Sequence, residues 1–132
     1  MSSKFLKLTL LDGAKIVVNT TYITEISPTH GNDFENGVDV IFKSFGENDL
    51  LKASVPASQV QSIIDAVNDS TLPFIEIKTA NAPRVIINQD YISHIEPTHG
   101  NDFSDGVTLN IWGTSVQVPA SGTAAISKLW TK

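Results

Sequence analysis

Polar and apolar positions alternate along most of this chain, and the period of the alternation changes in two places. In Phe5-Leu-Lys-Leu-Thr-Leu10, the residues Leu6, Leu8 and Leu10 alternate with Lys7 and Thr9, the period-two signature of a half-buried strand. Asp12-Gly13 follows as a hairpin turn, because Gly tolerates the positive φ that such turns need. Further strands are predicted at Lys15 to Val18 and Tyr22 to Ser27, with Ile23 and Ile26 as core contacts. Beyond a loop from Pro28 to Gly37, Val38 to Phe42 and Leu50 to Val55 make a second hairpin with Gly46-Glu-Asn-Asp49 at its tip. The period then lengthens: Val60, Ile63, Ile64 and Val67 mark one face of a helix, Ser58 is placed to cap it, and Gln61 completes a capping box.

The second half runs the same course. Strands are predicted at Phe74 to Lys78, Arg84 to Asn88, Tyr91 to Glu96, Val107 to Trp112 and Ser115 to Val118, then a helix near Gly122 to Trp130. The likeness extends to identity, since the segment from Tyr22 to Val38 returns 69 positions later as Tyr91 to Val107. Val55-Pro-Ala-Ser58 returns as Val118-Pro-Ala-Ser121 at an offset of 63, so six residues separate the two spacings. That difference falls in the hairpin between the fourth and fifth strands, which shrinks to a turn around Gly113. The first turn changes too, from Asp12-Gly13 to Asn81-Ala-Pro83.

The expected architecture is a mainly β, α+β chain of two tandem repeats, 1–70 and 71–132. Each repeat is read as a bent five-stranded antiparallel sheet or small open barrel, closed by one C-terminal helix. Such sheets leave open edges, through which the two units could pair or recruit further copies.

Composition narrows the task. A net charge of −5, with Lys and Arg scattered, opposes a general phosphate-backbone binder, so no nucleic acid is expected as partner. The chain has no Cys, which excludes disulfides and thiolate metal sites and fits a cytoplasmic protein, or a virion component if phage-encoded. The start Met1-Ser-Ser-Lys-Phe-Leu-Lys lacks the apolar run of a signal peptide, and no stretch approaches the roughly 20 apolar residues that cross a bilayer, so no membrane insertion is expected.

Three segments carry a family resemblance: Leu6-Lys-Leu-Thr-Leu-Leu-Asp-Gly13, Ile16-Val-Val-Asn19 and Ile23-Thr-Glu-Ile26. With the Val38 to Phe42 strand and the closing helix, they resemble the small bacterial flagellar protein family called FlbD or SwrD, here as a tandem duplication. The resemblance spans most of the first repeat and only weakly the second, and it implies a shared fold and a bacterial or phage origin. Family members are single units with a shorter loop where this chain has Pro-Thr-His-Gly-Asn-Asp-Phe, and the resemblance supplies no catalytic set.

That loop concentrates the identities: Pro28 to Phe34 recurs letter for letter at Pro97 to Phe103. One reading is structural, with Pro fixing φ, Gly31 and Gly100 adopting left-handed geometry, Asn and Asp serving turn backbone groups, and Phe34 and Phe103 plugged into the core. The other is a paired recognition surface for a ligand or partner, with Thr29, His30, Asn32, Asp33, Thr98, His99, Asn101 and Asp102 as candidates. Two His and two Asp, namely His30, Asp33, His99 and Asp102, could also supply four metal ligands if symmetry gathered them.

Elsewhere little points to chemistry. His94, Trp112 and Trp130 lack counterparts and read as surface or packing residues, while Asp65 and Asp69 read as solvated. No carboxylate pair or Ser sits in a catalytic setting, and acid–base work by His30 and His99 is the one enzymatic version the sequence offers. The reading is therefore a non-enzymatic interaction or assembly module without cofactor, whose partner is another protein or itself as a homo-oligomer. The alternative is a small-ligand or metal-binding protein built on the paired His-Gly-Asn-Asp loops.

Overall fold

The computed structural model describes residues 5–44, 50–69, 71–78, 83–112 and 114–129. Among them the fold is mainly β. In the first half, β1 (Phe5–Thr9), β2 (Lys15–Asn19), β3 (Ile23–Pro28), β4 (Val38–Lys43) and β5 (Leu50–Val55) precede α1 (Ala57–Val67). The second half repeats the order with β6 (Phe74–Ile77), β7 (Val85–Asn88), β8 (Ile92–Pro97), β9 (Val107–Ile111), β10 (Thr114–Val118) and α2 (Ala120–Ile126). A 3₁₀ turn, Thr20–Tyr22 or Gln89–Tyr91, enters β3 and β8, and in each the side chain of the preceding Asn, Asn19 or Asn88, accepts a backbone N–H two residues on.

The strands are shared out differently from the sequence expectation. Among the described residues, no five-stranded sheet forms within one half. The five-stranded sheet has the order β5-β4-β3-β7-β6 and draws on both halves, while β1-β2 and β10-β9-β8 stand as sheets of two and three strands. The junction is antiparallel, with Glu25 opposite Ile87 and Ile26 opposite Ile86. The hairpin β6-β7 thus adds to the open edge of β3, which satisfies backbone groups that an edge strand would leave to solvent.

Alternation then sends residues of β7 to opposite sides. Val85 and Ile87 join Ile75, Ile77, Val107, Leu109, Ile111, Val118 and Ile126 in one buried cluster. Ile86 points the other way, into a cluster with Ile23, Ile26, Phe34, Val40, Ile63 and Val67. One strand therefore seals two cores. Each core also rests on a helix: Val60, Ile63 and Val67 of α1 are buried, as is Ile126 of α2.

Several local expectations meet the geometry. Gly31 and Gly100 are left-handed, at φ 73° and 71°, and Phe34 is buried while Phe103 is half-buried. The capping box is not formed. The N-cap of α1 is Pro56, in extended geometry with no side-chain cap, and Gln61 instead donates to Asp65 at 2.8 Å, a contact one helical turn along. Asp69 accepts from the backbone N–H and hydroxyl of Thr71 as the chain leaves α1. α2 begins at Ala120, earlier than expected, and continues as a 3₁₀ turn, Ser127–Leu129. The tip Gly46 to Asp49, the Gly113 turn, Asn81-Ala82 and Trp130 lie outside the described residues. No described helix is long and apolar enough to cross a membrane.

Candidate functional site

The two copies of the loop share their neck. Thr29 N–H donates to Gly37 O at 3.2 Å, and Thr98 N–H to Gly106 O at 3.2 Å. The Thr29 hydroxyl donates to Asp39 at 2.9 Å, whereas the Thr98 hydroxyl lies 3.0 Å from that of Thr108. His30, His99, Asn32 and Asn101 are exposed. Among the described residues, no three His, Asp or Glu side chains form a group able to hold a metal ion, so His30, Asp33, His99 and Asp102 are not gathered into one site.

What surrounds the loops differs. In the first, Asn32 O accepts the backbone N–H of Arg84 at 2.9 Å, where the chain enters β7. The Arg84 guanidinium lies 4.3 Å from the centre of the Phe34 ring and reaches Asp33 at 3.1 Å and Glu76 at 3.1 Å. Lys78 is a second cation near Asp33, at 3.5 Å. The Asp33 carboxylate also accepts the Phe34 N–H at 2.7 Å, and this bond, followed by that of Arg84, holds the group below the usual carboxylate range. The first loop is thus a seat for the strand arriving from the second half.

The second loop has the same letters, but among the described residues no strand is seated on it. Asp102 accepts from the hydroxyl and then the backbone N–H of Ser104, at 2.6 and 2.9 Å, which lowers its pKa in that order, and no described cation pairs with it. An open groove of about 410 Å³ runs beside it, lined by Ile92, Ser93, His94, Ile95, Phe103 and Leu129 among others. His94 is exposed there, and its Nδ1 lies 2.9 Å from the Ser93 hydroxyl.

Other contacts fasten the halves together. Asn88 is fully buried and donates through Nδ2 to Ile23 O at 2.9 Å, and the Tyr91 hydroxyl donates to Thr21 O at 3.1 Å. Lys43 of β4 sits 5.0 Å from the Trp112 ring, a cation–π contact from one half to the other. Arg84, Ile86 and Asn88 were not among the sequence candidates. The offset of 69 could have found them, since it sets Lys15, Val17 and Asn19 at the matching positions of β2.

Glu25, in the middle of the five-stranded sheet, has its carboxyl pushed up by burial. A group whose folded pKa is raised costs stability as pH climbs from its unfolded value through its folded value. Glu25→Gln is therefore expected to raise Tm at neutral pH, and the gain should vanish below about pH 3, where the carboxyl is protonated in both states. A gain that persisted in acid would assign the effect to packing.

No family model, curated protein or solved structure matches this chain.

Proposed function

We propose that the protein is a non-enzymatic assembly module, two tandem β-rich units each closed by its own helix, that self-associates or docks in a larger assembly. The observation that supports this reading is the difference between equivalent strand edges. β3 and β7 are joined, whereas no described strand pairs with the outer edges of their counterparts, β8 and β2. Unpaired edges bearing apolar side chains are templates for further strand addition. The duplicated loop fits the same role, because its first copy receives a strand. The resemblance to a flagellar family is in keeping with a part that works inside a larger structure.

Native mass spectrometry, with and without chelator, tests the reading. Particles of more than one chain, at the mass of the polypeptide alone, are the expected result. Extra mass on each chain that chelation removes would favour a metal held by the His-Gly-Asn-Asp loops. A single bare chain at every concentration would end the self-association version and leave docking on a different protein.

A further inference from the structure

Among the described residues, the second half lacks one strand pairing that the first half has. Among the described residues, β3 is flanked by β4 and by β7, but β8 is flanked by β9 alone. The missing neighbour of β8 would be the counterpart of β7, which is β2. Among the described residues β2 pairs only with β1 and is not joined to β8 of its own chain. Two sheets of two and three strands thus stand where the other junction makes one of five.

Burial follows the same division. Ile86 is 4% exposed in β7, while its counterpart Val17 in β2 is 61% exposed, although both lie in unbroken apolar runs, Val85-Ile-Ile87 and Ile16-Val-Val18. An unbroken run suits a strand buried on both faces, and β2 is covered on one. On the receiving side, Ile23, Ile26 and Phe34 close around Ile86, whereas their counterparts Ile92, Ile95 and Phe103 line the open groove. Charge agrees as well. Lys15 stands where Arg84 stands and Lys7 where Glu76 stands, so β1-β2 offers two cations to a loop carrying Asp102 and Asp105.

We infer that the occupant of this groove is a second copy of the chain, whose β2 pairs antiparallel with β8 and completes a five-stranded sheet β10-β9-β8-β2-β1 across two molecules. This rests on the assembly reading and gives it a partner, a face and a register. By the pairing of Glu25 with Ile87 and Ile26 with Ile86, His94 lies opposite Val18 of the second copy and Ile95 opposite its Val17. Lys15 of the second copy meets Asp102, as Arg84 meets Asp33. Because the two surfaces differ, the contact is head-to-tail, closing into a ring if the rotation per chain allows and otherwise continuing as a filament.

The test uses two kinds of variant. Val17→Asp changes an exposed side chain, so the single chain keeps its fold by circular dichroism while the wild-type oligomer is lost in sedimentation. In the second, V17C and I95C are made in separate chains, and the absence of native Cys leaves the introduced pair as the sole route to a disulfide. Opposed residues of antiparallel strands lie within disulfide reach. Mild oxidation of the mixture should give a covalent dimer in non-reducing electrophoresis, and either variant alone should not. A wild-type protein that stays a single chain overturns the second copy as occupant, though not docking on another protein. An oligomer untouched by V17D, with no V17C–I95C crosslink, overturns the edge assignment and leaves self-association standing.

Discussion

Ile86→Asp is expected to leave the chain unfolded at 25 °C, measured by circular dichroism and by loss of a cooperative thermal transition. Ile86 is 4% exposed and projects from β7 into the cluster of the other half. A carboxylate there is buried without a partner, a cost of several kcal/mol against a total stability of only about 5–15 kcal/mol. The milder Ile86→Ala should cost about 2–4 kcal/mol by loss of burial and the cavity left behind. Val17 supplies the internal control. Its replacement by Ala, in the single chain, should change stability by about 0.5 kcal/mol or less, as at other open surface sites. Equal losses at the two positions would mean that β7 does not insert between the cores as described.

The second large effect is expected at Gly37. It returns the loop to β4 with φ 101°, and a Cβ built on it would stand 2.5 Å from Val55 O. Neither the backbone conformation nor the neighbouring carbonyl can give way easily, since Val55 is held in the sheet opposite Val38. Gly37→Ala should therefore lose about 3 kcal/mol or more, roughly 10 °C in Tm. Gly31→Ala offers the contrast, because its φ is also positive but nothing lies within 4 Å of the added carbon. Its cost should stay near 1–2 kcal/mol, the penalty of left-handed backbone alone. Denaturant unfolding of both variants separates steric collision from strain.

Much of the local structure was legible because it follows from single residues and short periods. Leu6 and Leu8 alternate with Lys7 because one face of β1 is buried, and both are in the core. Val60, Ile63 and Val67 recur at helical spacing for the same reason. The capping box failed because a hydroxyl near a helix start is an opportunity and not an obligation: α1 opens after Pro56, and Gln61 finds Asp65 on its own helix instead. The sheet order was not legible at all. Alternation tells which face of a strand is buried, and says nothing of which strand lies beside it. Ile16-Val-Val18 and Val85-Ile-Ile87 read alike, yet only β7 is enclosed on both sides within one chain.

The loop shows a second limit. Its repetition announced a constraint, and the sequence favoured its side chains, His30 and Asn32 among them. The contact that Asn32 makes to the incoming strand is through its backbone oxygen, which any residue possesses. Asp33 was a candidate and is engaged, but by Arg84 and Lys78 from 51 and 45 positions away in sequence, a pairing no short motif can express.

The short connection between α1 and β6 has a kinetic meaning. It keeps the β6-β7 hairpin tethered beside β3, so that this junction forms at the high effective concentration of a linked segment and does not depend on how much protein is present. A junction between β8 and the β2 of another molecule would enjoy no such tether and would follow mass action. Growth and dissolution of any assembly would then proceed by whole chains, with every second seam permanent and every other one responsive to supply.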